Sequence, residues 1–206
     1  MNAKKLSFLL LILVAVACTN RSTSSEQDEM RHWNNVLQQI NALLLENKAR
    51  QTLDLAKQTL PEILESAEKN GTTDTLIYYA RKIFNACGNN YINTKQYKDG
   101  IDYMDSIGNH PLIREHCPHE LLSFKAGLNQ LYGNNPEAVR LAEDYLQLPV
   151  CTSANDFIRQ AEIISGVYMY SGNNLPKAIQ ILEKAIDVYR KGGNFPNMLR
   201  IMSRLG

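Results

Sequence analysis

Three histidines and a cysteine crowd one short stretch of this 206-residue chain: His110, His116, Cys117 and His119. Imidazole nitrogen and thiolate sulfur are the commonest zinc donors, and a thiol beside an imidazole is the pairing that a cysteine nucleophile uses. The setting argues against both. Metal sites pair their ligands at short regular intervals, whereas these four side chains fall in a connector, Gly108 to His119, punctuated by Pro111 and Pro118. No Gly-rich phosphate loop, HExxH helix, CxxC pair or serine nucleophile elbow occurs anywhere in the sequence. The expectation is a solvated polar connector in a protein that is not an enzyme, with no metal, no cofactor and no catalytic residue. Function must then lie in a recognition surface, and the elements that build one have to be read from periodicity.

Lys4 and Lys5 precede an apolar run from Leu6 to Val16, then small residues and Cys18, which is the order of a basic n-region, an h-region and a cleavage site. The run is too short to span a bilayer. Ala15-Val16-Ala17-Cys18 resembles the lipobox of bacterial lipoproteins. That resemblance implies a signal peptide over residues 1–17, lipid on Cys18 as the mature N-terminus, and a membrane-anchored protein on the periplasmic or cell-surface face. The alternative is an ordinary secretory leader or an uncleaved signal anchor, and in each case the remainder leaves the cytoplasm. Residues 18–30 are rich in Ser, Thr, Asn and acidic residues without apolar periodicity, so a flexible tether is expected there. Lys plus Arg number 22 against 21 Asp plus Glu, and removing Lys4 and Lys5 leaves a near-neutral chain with nothing to attract nucleic acid.

From residue 31 onward the apolar residues keep helical time. Trp33, Val36, Leu37, Ile40, Leu43 and Leu44 form one stripe; Ala49, Leu53, Ala56, Leu60, Ile63, Leu64 and Ala67 form a second that runs through Pro61 and predicts a long, kinked helix ended by Asn70-Gly71. A cap at Thr72 to Asp74 opens a helix carrying Leu76, Ala80, Phe84, Cys87, Gly88 and Tyr91, and Tyr97, Gly100, Ile101 and Met104 line its partner. Glycine inside a helix costs about 1 kcal/mol relative to alanine, so Gly88 and Gly100 each predict a neighbouring helix too close for a β-carbon. A third pair turns at Gly133-Asn134-Asn135 before Pro136. A fourth starts from a Ser153/Asp156 capping box and turns at Gly172-Asn173-Asn174 before Pro176. Pro196 opens a fifth first helix whose Met198, Ile201, Met202 and Leu205 need a covering partner, so the repeat domain, residues 31–206, is expected to be incomplete at its C-terminus.

Aromatic, small residue, aromatic, then a turn and a small residue resembles the tetratricopeptide repeat (TPR), carried best by Phe84, Gly88, Tyr91 and Gly100 and by the fourth pair. The small positions Gly88, Ala126, Ser165 and Gly206 lie 38, 39 and 41 residues apart, longer than the family's usual unit. The resemblance implies an all-α, TPR-like right-handed solenoid of four stacked antiparallel helix pairs plus a fifth first helix. It implies a concave groove, lined by the first helices, that holds a protein or peptide. Matched position by position, the groove residues are Asn34, Gln38, Lys82, Asn85, Asn89, Ser123, Gln130, Arg159, Glu162 and Met169. The basic clamp by which some TPR co-chaperones grip a C-terminal carboxylate is not reproduced, since Glu120 and Phe124 stand where it wants lysine and arginine. Stacked repeats also bring their starting loops together, which makes a disulfide between Cys117 and Cys151 an expectation outside the cytoplasm. Two functions follow from one groove: a stand-alone binding lipoprotein, or the sensor region of a membrane-bound histidine kinase or transcriptional regulator whose output domain lies further along the chain. Replacing Cys18 with serine should move the protein from the membrane fraction to the soluble fraction; unchanged fractionation would exclude the lipid anchor.

Overall fold

The computed structural model describes residues 27–149 and 154–192. Among these residues the chain is helices and short turns, with no strand. The order is α1 (residues 27–45), α2 (Ala49–Asn70), α3 (Asp74–Asn93), α4 (Tyr97–Gly108), α5 (Pro111–His116), α6 (Pro118–Tyr132), α7 (Asn135–Gln147), α8 (Ala154–Tyr170) and α9 (Leu175–Gly192). The all-α class expected from the sequence is therefore observed. The leader, Cys18, Cys151, the Ser153 cap and everything from Pro196 onward lie outside the described residues.

Local chemistry sets most helix ends where periodicity put them. Thr73 caps α3 by accepting the Leu76 N–H at its Oγ1, 3.3 Å away. Gly71 and Gly133 close α2 and α6 at φ 84° and 97°, backbone that glycine adopts without a β-carbon penalty. Pro61 sits inside a continuous α2 with its ring exposed, so the apolar face on the other side stays intact.

Two expectations are corrected here. The tether does not run to residue 30: residues 27–30 already belong to α1, where Glu29 accepts a 2.7 Å hydrogen bond from Ser66 Oγ on α2 and Trp33 is buried. Trp33, one turn on from Glu29, fixes this stretch of the helix to the core. The Gly108 to His119 connector is mostly helical. Pro111 and Pro118 each open a helix, where their missing N–H costs nothing, and His110 Nδ1 accepts the Leu112 N–H at 3.2 Å; Leu112 and Ile113 then bury their side chains.

Packing follows chain order. α2 lies on α3, α3 on α4 and α6, α4 on α6, α6 on α7 and α8, and α8 on α9. Two apolar clusters meet at α6, which gives Phe124 and Leu128 to one and Ala126 to the other. The close approaches predicted by glycine are specific: a β-carbon on Gly88 would stand 2.4 Å from the Phe124 ring, and one on Gly127 would stand 2.6 Å from Ile163 Cγ2. Both glycines and both partners recur after 39 residues, so Gly88 and Gly127, rather than Gly88 and Ala126, are the equivalent contact positions. Ala126 instead packs in the second cluster.

Gly88→Ala should destabilise the fold by about 1–3 kcal/mol through overpacking against a ring with nowhere to go, in spite of the helix propensity gained. Urea denaturation checks this, and an unchanged or raised midpoint would show that the helices do not approach so closely.

Candidate functional site

The histidines and cysteines that opened the sequence reading disperse into structural roles. His110 Nε2 lies 3.2 Å from Glu68 Oε1, and His119 Nε2 lies 2.7 Å from the Pro149 carbonyl with its ring edge-on to Tyr145. The His116 carbonyl accepts a hydrogen bond from Arg81 at 2.5 Å, and Cys117 is fully buried where α5 gives way to α6. Among the described residues no three His, Cys, Asp or Glu side chains are grouped so that they could hold a metal ion. Cys87 is also fully buried. Its thiol donates to Tyr103 Oη at 3.8 Å, and burial pushes it up to about 12, so it is protonated and a poor nucleophile at neutral pH.

A groove of about 500 Å³ does form between α1 and α3. Leu37, Ile40, Asn41 and Leu44 line it from α1; Tyr78, Lys82, Asn85, Ala86, Asn89, Asn90 and Asn93 line it from α3. It brings together Lys82, Asn85 and Asn89 of the residues the resemblance selected. Asn34 and Gln38 are exposed on α1 but do not line it. Further along, two expectations fail: Ser123 and Glu162 are buried and offer no surface. Ser123 Oγ donates to the Glu120 carbonyl at 3.1 Å, while the Glu162 carboxylate lies 3.6 Å from Arg159 Nη1. The Arg159 Nε donates to Asn89 Oδ1 at 2.8 Å, and Gln130 and Met169 are half-buried outside the groove.

The groove has a local cause in the sequence. Moved forward by the 39-residue register, Asn85 corresponds to Phe124 and Ile163, the side chains that fill the notches at Gly88 and Gly127. Asn89 corresponds to Leu128 and Val167, both fully buried. On the other wall, α1 ends at residue 45 and α3 at Asn93, and this 48-residue offset puts Ile40 of α1 at the position of Gly88. One joint therefore meets an isoleucine with an asparagine, where the later joints meet a glycine with a large apolar group. The joint stays open. Asn41, Asn93 and Tyr78 escaped the sequence reading, and the signal that would have found them is this internal comparison at 39 and 48 residues.

The open joint is lined by carboxamides, side chains that can both donate and accept. Asn90, fully buried beside Ala86, donates from Nδ2 to the Ala86 carbonyl at 2.8 Å, and Asn129 makes the same bond to Lys125 one register later, which marks both as structural. Tyr78 is 53% exposed and has the Lys82 ammonium 5.8 Å from its ring, so the groove mouth presents an aromatic face and a cation. A second cavity of about 330 Å³ lies near the other end, with Leu146, Phe157, Ile181 and Val188 among its largely apolar lining. No helix among the described residues is long and apolar enough to cross a membrane. No protein-family model matches the chain, and no curated protein matches it.

Burial of Cys87 gives a pH dependence of known sign. The unfolded thiol loses its proton near 9.0 and the folded one near 12, so the folded state holds the extra proton between those values. Stability is then complete below pH 9 and falls as pH rises through that window, by up to about 1.4 kcal/mol per pH unit. Tyr91 and Tyr103, also raised chiefly by burial, act in the same direction. Melting temperatures at pH 8 and pH 10 should differ less for Cys87→Ala than for the wild type; equal differences would contradict the buried thiol.

Proposed function

We propose that this chain is a non-enzymatic, TPR-like right-handed solenoid, tethered outside the cytoplasm by lipid on Cys18, and that it holds an extended peptide segment of a partner protein between α1 and α3. The observation that carries the proposal is the polar notch itself. At equivalent joints this sequence uses Phe124 on Gly88 and Ile163 on Gly127, which bury apolar surface; at α1 and α3 it uses Asn85 and Asn89 and forgoes that burial. A stability cost confined to one joint is the usual mark of a working surface. Carboxamides at the groove, half-buried at Asn85 and Asn89 and exposed at Asn41 and Asn93, suit a peptide backbone, which needs an acceptor for each N–H and a donor for each C=O, and Leu37, Ile40 and Leu44 supply an apolar floor for its side chains. The solenoid reading is supported by the 39-residue recurrence and by packing in which each helix lies chiefly on elements of its own or the neighbouring pair.

Restoring the packing residue tests the trade directly. Asn85→Ile should fill the joint, raise stability by about 1–2 kcal/mol and weaken binding of peptides selected from a random display library by at least about tenfold. Thermal melts and titration calorimetry on the same preparation check both halves. A variant that gains stability and binds as well as the wild type would remove the groove from the account.

A further inference from the structure

Asn89 lines the groove, yet its hydrogen-bonding groups are already engaged. Its Nδ2 donates to the Asn85 carbonyl at 2.9 Å, and its Oδ1 accepts from Arg159 Nε at 2.8 Å. Arg159 lies on α8, 70 residues further along the chain, so this bond ties the groove wall to an element that α6 otherwise separates from it. The arginine has a second anchor: its Nη1 lies 3.6 Å from the carboxylate of Glu162, whose side chain is only 3% exposed, while its own is 41% exposed. A guanidinium held by a buried carboxylate and bathed by water on one side can give up a neutral carbonyl without losing its charge partner. Asn89 has no such second choice.

We infer that Arg159 sets the affinity of the α1 and α3 groove by competing with the ligand for Asn89 Oδ1. The inference rests on the peptide reading above. A backbone N–H of the bound strand replaces Arg159 Nε at that oxygen, and the guanidinium turns to Glu162 and solvent. Filling the groove therefore cuts a tie between α3 and α8, so occupancy near the start of the repeat array is felt towards its end. No covalent step is involved.

The test uses the strongest peptide that the wild-type protein selects from a library of random twelve-residue peptides displayed on phage. Arg159→Leu removes the competing donor and should tighten that peptide by about ten- to a hundredfold, the range expected for one displaced charge-assisted hydrogen bond. Arg159→Lys, which keeps a cation near Glu162 but has no Nε donor, should tighten it in the same direction and covers the case in which the leucine variant folds poorly. Asn89→Ala should weaken binding and make either Arg159 substitution silent, a non-additivity that a merely structural arginine would not produce. In hydrogen exchange, the peptide should speed exchange along α8 in the wild type and leave it unchanged in Arg159→Leu. A peptide that binds the wild type and both Arg159 variants equally overturns this inference alone. If neither the wild type nor Arg159→Leu selects any peptide, the groove reading falls and takes the inference with it.

Discussion

The arrangement depends on how closely the first helices of successive pairs approach one another. At Gly88 and Gly127 no β-carbon stands between the backbones and the side chains of Phe124 and Ile163, and each large group fills the notch that the glycine leaves. Close approach of this kind fixes register as well as distance, because a shift by one residue would put a β-carbon where the ring sits. It leaves α6 buried on several sides at once, so polar groups on it must find partners inside the protein. Glu120 does so with Arg81, whose Nε lies 3.3 Å from its carboxylate, and Ser123 and Asn129 turn back to carbonyls of their own helix. Removing Arg81 would take a guanidinium away from a carboxylate that is 3% exposed, and breaking such a pair costs more than the intact pair is worth.

The same rule explains the groove by its suspension. Where the later joints place a glycine against Phe124 or Ile163, the α1 and α3 joint has Ile40 and Asn85 on the walls of a cavity that neither fills. α2 is 22 residues long where α4 has 12, and the longer helix lets the first pair keep its own core through Leu53, Leu60, Ile63 and Leu64 although this joint is open. A large second helix and an unfilled first joint are thus two sides of one solution.

Helical periodicity, the caps and the turn glycines made the helix pairs legible in the sequence, because each is decided within a few residues by local chemistry. Gly88 also announced a close neighbour correctly. Its partner, Phe124, was not legible, since a notch is visible in sequence and its occupant is set by the register of another helix. For the same reason Ser123 and Glu162, matched to groove positions one by one, turned out to be covered: whether a polar residue faces solvent depends on how far the next helix leans over it. The connector around His110 looked like loop because prolines break helices in their interior, yet both prolines here occupy first turns. Lys82, Asn85 and Asn89 were found together because they share one face of one helix, which periodicity alone can give. The bond from Arg159 to Asn89 spans 70 residues and has no signature in sequence at all.

The claim that the open joint is the recognition surface is tested most directly by mapping where a selected peptide sits. In amide chemical-shift titrations of the wild-type protein, the account predicts that the largest perturbations fall on Leu37, Asn41 and Leu44 of α1 and on Lys82, Asn85, Asn89 and Asn93 of α3. Saturating perturbations confined instead to the apolar cavity around Leu146, Phe157 and Ile181, with α1 and α3 unmoved, would contradict it.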